Sequence, residues 1–335
     1  MFTIGFTDHM EGPAGRSSKS IFDELTDLVR LADELGVRYA WFSEHHAHMH
    51  QGHLPAPLLF ALHLAGRTRQ IQPGTAVICL NLRHPVDVAE QAAVADILAG
   101  GRLAVGFGSG STPEEFEMFG LDVTSEQERH ARFEEALRVI QAAWSGEWIG
   151  AAPSYFTIPP RILPVPARDL QGRCWVAVNS NGSAAIAGRL GFNILFSHLR
   201  TPEQYRGYRR AYLAAGGKGL VAANRPVIVG PDDATAFERA EPALRLLWRR
   251  FRDEGKVAAE TPEPLSIDGL ASHPINFIVG GPATVARQLL ALNAEVPYDV
   301  ANVEVRWAGL SHEHVCESLR RLMEEVMPIA RNARG

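Results

Sequence analysis

Hydrophobic and polar positions along the chain alternate between two periods. Short runs rich in apolar and β-branched residues are followed by longer stretches with apolar residues at helical spacing, the pattern of strands joined by helices. The pattern predicts a strand at Phe2–Phe6 and a helix at Ile21–Leu35 that ends at Gly36. Tyr39–Phe42 with Ala56–Arg67 make a second pair, and Thr75–Leu80 with Val86–Ala99 a third, stopped by Gly100 and Gly101. Leu103–Gly106 leads to a long amphipathic helix at Glu126–Trp144. In the second half, strands are predicted at Trp175–Val178, Asn193–Phe196, Val227–Val229 and Asn302–Val305. The helices predicted to follow them are Ala184–Leu190, Glu203–Ala215, Ala234–Arg252 and Glu313–Val326.

Strict alternation of strand and helix implies a parallel sheet, and eight such units imply an α/β fold of the (β/α)8 TIM barrel type. The expectation is one domain over residues 1–335 with two insertions. After unit four, Gly146–Gly172 is proline-rich and lacks a helical period. After unit seven, residues 253–294 begin with a polar stretch carrying Pro262, Pro264 and Pro274, then add Phe277–Val279 and a helix at Thr284–Ala294. Long irregular stretches near the strand ends of a barrel are lid candidates. Fixed-period repeats are absent, which excludes a solenoid.

Composition narrows the class of partner. Hydrophobic residues make up 46% and charged residues 21%, as in soluble globular chains. No apolar run is long enough for a membrane helix, and the N-terminus does not read as a secretory signal. The net charge of −5 lacks the basic excess of a nucleic-acid binder. The three cysteines, Cys79, Cys174 and Cys316, form neither a zinc pattern nor a disulfide framework, so a reducing cytoplasm is expected.

Five histidines, His45, His46, His48, His50 and His53, follow the second strand. Their spacing matches no metal-binding helix, so a loop with one or two working histidines is favoured over a metal site. Glu90, Asp96 and Arg102 read as an ion-paired anchor around the third helix. Gly106–Ser111 is a glycine-rich turn where a ligand can approach the backbone. It is a poor dinucleotide fingerprint, because Pro113 and Glu114–Glu117 follow instead of a direct helix start. In Asn179-Ser180-Asn181-Gly182-Ser183, Ser183 or its neighbour caps a helix. The same stretch suits either an ordinary cap or a phosphate site.

Taken in order, several motifs resemble those of the bacterial luciferase-like, flavin-dependent monooxygenases. They are Phe42-Ser43-Glu44-His45-His46, Gly74–Pro85, Ala89-Glu90 with Asp96, and Gly101–Gly110. Met118-Phe119-Gly120, Pro282–Ala286 and Glu324–Pro328 are similar to later family markers. The resemblance implies a (β/α)8 barrel with insertions. It also implies reduced FMN, supplied by a flavin reductase, acting with O2 through a flavin 4a-hydroperoxide on a small organic substrate.

By the same resemblance, His45 transfers a proton near the flavin, as a neutral imidazole can. Ala76–Val77 matches a non-prolyl cis peptide beneath the flavin ring. Asn179, Ser180 and Ser183 match the phosphate-binding loop. Ser109 stands where luciferases carry a phosphate-binding arginine, a departure that weakens FMN relative to a deazaflavin. His198, and Trp307 with Arg306, are expected at the substrate pocket. Family members pair as dimers through early helices, so a homodimer is expected. Two competing readings are a deazaflavin-dependent dehydrogenase or reductase that transfers hydride, and a non-catalytic flavin-binding partner subunit.

Overall fold

The computed structural model describes residues 2–12, 16–46, 53–122, 125–148, 155–163, 167–197, 200–253, 255, 257–258, 260–263, 266–270 and 276–333. Its strands are β1 (Thr3–Asp8), β2 (Tyr39–Phe42), β3 (Gln72–Cys79), β4 (Ala104–Gly108) and β5 (Trp175–Val178). They continue with β6 (Asn193–Phe196), β7 (Val221–Val229), β8 (Ile278–Gly280) and β9 (Val300–Glu304). The fold class is the parallel (β/α)8 barrel with surrounding helices. Contacts gather the chain into two compact units, one of residues 1–40, 196–206 and 221–335, the other of residues 41–195 and 207–220.

In the first unit, β9 pairs in parallel with both β1 and β7, so that Val300 stands opposite Thr3 and Ala222. All nine residues of β7 are buried. This strand begins six residues before the predicted Val227, because Asn224, Arg225 and Pro226 read as loop in a hydropathy scan. Asn224 and Arg225 find hydrogen-bond partners inside: Asn224 donates to Glu304 at 2.6 Å, and Arg225 donates to the Asn224 carbonyl at 2.8 Å. The stretch expected as an extra piece becomes β8, which extends the sheet by pairing in parallel with β7, followed by the helix Pro282–Glu295. The last helix is interrupted by a π-helical turn at Leu322–Val326.

The second unit stacks β3, β4 and β5 in parallel. Its core is aromatic: Trp41 meets Trp175 edge-on at 5.2 Å, and Trp144 donates from its indole to the Ala89 carbonyl at 2.9 Å. Two glycines let β3 and β4 close up. A Cβ on Gly74 would stand 1.8 Å from the Ala104 carbonyl oxygen, and one on Gly106 would stand 2.3 Å from that of Thr75. Asp96 is an anchor, but its partner is Arg173 rather than Arg102. Arg173 grips both Asp96 oxygens at 2.7 Å, and Asp96 also receives the Leu103 amide at 3.1 Å. Arg102 ties carbonyls instead, those of Ala65, Thr68 and Ile71. Glu90 is exposed.

Candidate active site

In the second unit, the chain leaving β2 carries Ser43, Glu44, His45 and His46, and this short run is organised by two buried carboxylates. Glu44 is 2% exposed. It accepts from His46 Nε2 at 2.8 Å, from Arg83 at 3.0 Å and from the Cys79 amide at 3.4 Å. Arg83 in turn donates to the Pro55 carbonyl at 2.9 Å, so the guanidinium that balances Glu44 also holds the loop entering the next helix. Burial pushes the Cys79 thiol well up, and the neighbouring Glu44 and Glu115 charges add to this, so it stays a thiol.

Glu115 is the second carboxylate, 3% exposed, on the helix Pro113–Met118. Its Oε1 lies 3.4 Å from His45 Nδ1 and accepts the His46 amide at 2.9 Å. Burial acts to raise its pKa, but the His45 ring and the His46 N–H outweigh burial, and the carboxyl is held below its ordinary range. His45 therefore faces an ionised carboxylate at neutral pH. The ring of His46 packs edge-on against Phe119 with centroids 4.9 Å apart. Of the other three histidines in the cluster, His48 and His50 lie outside the described residues.

The Ala76–Val77 peptide in β3 is cis, and the pairing of β3 with β4 shifts register between Thr75 and Ile78. Both residues are half-buried. Gly108, at the end of β4, makes room for them, since a Cβ there would fall 2.5 Å from Val77 Cγ2. Part of the glycine signal in Gly106–Gly110 is thus packing against β3 rather than access for a ligand. Ser109 follows, half-buried, and its carbonyl accepts from Asn81 Nδ2 at 2.9 Å.

The loop after β5 begins its helix earlier than predicted, at Asn181. Ser180 is the N-cap, and Ser183 occupies the third helical position in a capping box. Asn181 and Gly182 have low helix propensity, which hid this first turn from the pattern. The Ser183 hydroxyl is engaged within the box, receiving the Ser180 amide at 3.3 Å and donating to the Ser180 carbonyl at 3.1 Å. The amides of Asn181 and Gly182 stand at the exposed start of the helix. Asn179 is exposed, and its carbonyl accepts from Tyr208 at 2.8 Å.

Two residues that the sequence reading passed over meet this helix start or its neighbourhood. The His130 ring lies against Gly182, where a Cβ would be only 2.7 Å from Nδ1. Arg129 precedes it, and its carbonyl is held at 3.0 Å by the same Asn81 amide that holds Ser109. Arg129 Nε is buried with no hydrogen-bond partner, and no carboxylate pairs with this arginine among the described residues. Burial lowers the His130 pKa, and the Arg129 charge adds to this against the opposing pull of Glu126. A helix N-terminus with an imidazole against it suits a dianion such as a phosphate monoester. The signal was present in Glu126–Trp144 as an Arg-His pair in the first turn, but an amphipathic pattern does not distinguish it from a solvated face.

The remaining expected residues sit in the first unit or outside the described residues. Trp307 is buried against Phe277, with centroids 5.1 Å apart, in a cluster with the helix Asp233–Asp253. Its indole donates to the Glu304 carbonyl at 3.1 Å. Arg306 donates to Asp8 at 3.1 Å and to the Glu11 carbonyl at 2.7 Å. His198 lies outside the described residues.

The sequence is 26% identical to the oxygenase component of a flavin-dependent trigonelline monooxygenase from Acinetobacter baylyi, over 96% of this chain and 93% of that protein. It is 30% identical to an F420-dependent glucose-6-phosphate dehydrogenase from Beutenbergia cavernae, over 71% of this chain and 73% of that one. The fold superposes with a TM-score of 0.81 on the oxygenating constituent of 3,6-diketocamphane monooxygenase from Pseudomonas putida, solved in complex with FMN, at 22% identity over 98% of each chain. The family model described as luciferase-like monooxygenase matches residues 2–298, and the chain belongs to that family of flavin-dependent oxidoreductases.

Proposed function

We propose that the chain is the oxygenase component of a two-component monooxygenase, using reduced FMN from a separate flavin reductase and O2 to oxidise a small organic substrate. The observation that carries the reading is the pairing of His45 with the buried, ionised Glu115 at the end of β2. A carboxylate at Nδ1 favours a proton on that nitrogen and basic character at the other. The ring is thereby oriented to take or deliver a proton. Glu44 and Arg83 fix His46 and the backbone on which His45 rides.

The residues present fit the cofactor's phosphate. The amides of Asn181 and Gly182, the Arg129 guanidinium and the His130 ring would hold it, with Asn179, Ser180 and Ser183 shaping the turn. This set would replace the arginine that is absent at Ser109. The half-buried Ala76–Val77 segment would carry the flavin ring. When bound, reduced FMN supplies the electrons that activate O2. The chain's own residues bind and orient the reactants and move the proton at His45. The cytoplasm and a homodimer complete the reading.

The test is oxygen uptake and product formation by the purified chain with reduced FMN across an aldehyde, sulfonate and ketone panel. Oxygenated product with one panel class supports the reading. Serine at position 109 and the likeness to an F420-dependent dehydrogenase favour one alternative, hydride transfer with a deazaflavin. Tight deazaflavin binding with no spectral response to FMN overturns the first reading in favour of the second.

A further inference from the structure

The second unit, which carries His45 and Glu115, also holds a pocket of about 390 Å³ that the reading above leaves without a role. Its walls follow the C-terminal ends of strands, where the working groups of (β/α)8 enzymes stand. Arg83 and His84 come after β3, and Phe119 and Leu121 after the helix Pro113–Met118. Arg132 comes from the helix Glu126–Ser145, and Phe156 from the proline-rich insertion. Among the described residues that line it are two arginines and a histidine, and no carboxylate.

The insertion is tied down at this point. Glu135, three residues after Arg132, accepts the Tyr155 and Phe156 amides at 3.1 Å each, and Phe156 is buried. The Phe156 ring meets His84 edge-on, with centroids 5.7 Å apart, and carries the Arg132 guanidinium 4.7 Å from its centroid. Stacking of this kind fixes the plane of a guanidinium. Arg132 Nε is buried with no hydrogen-bond partner. Arg83, by contrast, is already balanced by Glu44 and held by the Pro55 carbonyl. Phe119 is exposed and gives the pocket an apolar wall beside Leu121. The same ring packs against His46, whose amide shares Glu115 with His45, so the pocket adjoins the proton-handling site within one unit.

We propose, resting on the monooxygenase reading above, that this pocket is a substrate subsite in which Arg132 takes the carboxylate of an organic acid whose apolar body lies along Phe119 and Leu121. A carboxylate accepts side by side from Nε and a terminal nitrogen of a guanidinium, which supplies the partner that a buried Nε needs. Arg83 adds no net charge, because Glu44 balances it, so one cation faces one negative charge. A phosphate dianion is served better by the helix-start amides of Asn181 and Gly182 with Arg129 and His130. Phe156 and Glu135 are positioning residues, the first for the guanidinium plane and the second for Phe156. The substrate class is thereby narrowed to small organic acids, with the end remote from the anion on the Phe119 side, next to His46.

The test has two arms on the full chain. In the first, fluorine NMR follows binding of 4-fluorobenzoate and of 4-fluorobenzyl alcohol, which differ in the anionic group. Wild type binds the acid about tenfold or more tighter than the alcohol, and added salt weakens the acid alone. Arg132→Gln removes the difference, and Arg132→Lys, which keeps the charge but not the planar fork, restores part of it. Saturating FMN leaves the acid bound. In the second arm, reduced FMN and O2 are supplied with 4-acetylbenzoate or its methyl ester. Wild type favours the acid in kcat/KM, and Arg132→Gln erases that preference through KM. Equal affinity for acid and alcohol, or an acid affinity that Arg132→Gln leaves unchanged, overturns the proposal. So does competitive displacement of the acid by FMN, which would assign Arg132 to the cofactor's phosphate. If Arg132→Gln does not fold, the salt dependence of wild type and the affinity of Arg132→Lys decide in the same way. A wild type that oxygenates neither compound counts against the monooxygenase reading, while the fluorine titration still decides whether the pocket takes a carboxylate.

Discussion

His45 and Glu115 come from different strand–helix units, 70 residues apart in number, yet Nδ1 of one lies 3.4 Å from Oε1 of the other. The link exists because Glu115 sits on a six-residue helix and is buried almost completely. A carboxylate there either neutralises itself or finds partners, and it finds His45 and the His46 amide.

Replacing that carboxylate separates its two effects. Glu115→Gln keeps the shape but removes the charge that orients His45, and turnover is expected to fall about tenfold to a hundredfold near neutral pH. Its effect on stability has a definite sign. The folded pKa of Glu115 lies below the unfolded one, so its contribution is fully present above the unfolded pKa and is lost as pH falls through the folded value. The difference in thermal unfolding between wild type and Glu115→Gln is therefore expected to be widest near neutrality and to shrink on acidification through and below the ordinary carboxylate range. Scanning calorimetry across pH checks it. A constant difference at all pH values removes the electrostatic explanation.

Gly106 offers a test of packing alone. Its Cβ would meet the Thr75 backbone oxygen at 2.3 Å, and a backbone carbonyl within a sheet has little room to yield. Gly106→Ala is expected to destabilise by about 1–3 kcal/mol. Gly66→Ala is the control, since its Cβ would stand 3.6 Å from the nearest atom, the His63 carbonyl oxygen. Urea unfolding midpoints of the two variants give the comparison.

The chain's alternation of periods was enough for the fold class, because strands buried on both faces and helices buried on one leave different spacings. Tyr39–Phe42, Trp175–Val178 and Asn193–Phe196 match their strands end to end. β7 was read short because burial of Asn224 and Arg225 depends on partners in β9 and Tyr205, which no local window contains. The same reason hid the site's electrostatics. His45 stands out within a histidine cluster, whereas Glu115 is one of three glutamates in a six-residue helix and Arg129 one of many arginines. Only the fold decides which of them is buried and against what. Asp96 shows the limit from the other side: its role as an anchor was legible, but the identity of its partner, Arg173, was not.

The helix-start cradle makes a prediction about binding. Arg129→Ala removes the cation proposed to help hold the phosphate and is expected to weaken FMN about tenfold or more, as loss of a charge-assisted contact to phosphate does. Riboflavin, which carries no phosphate, is expected to bind wild type and variant alike. Quenching of flavin fluorescence measures both. Equal loss for FMN and riboflavin means that Arg129 acts through the structure of the turn and not on the phosphate.

The last prediction concerns assembly. On the helices Pro57–Ala65 and Pro85–Leu98, Leu59, Ile97 and Leu98 are 68%, 65% and 68% exposed, and Val94 adds to the same pair of helices. Large apolar side chains so bare are costly in water, and a patch of this kind on a monomer marks an association surface. The expected occupant is a second copy of the chain, because a two-fold axis sets identical apolar helices against each other and needs no complementary charge. Leu59→Asp combined with Leu98→Asp is expected to convert a dimer to a monomer in sedimentation velocity at micromolar protein, with FMN binding preserved. A wild type that sediments as a monomer, or a double variant that still dimerises, would show that these helices are not the interface.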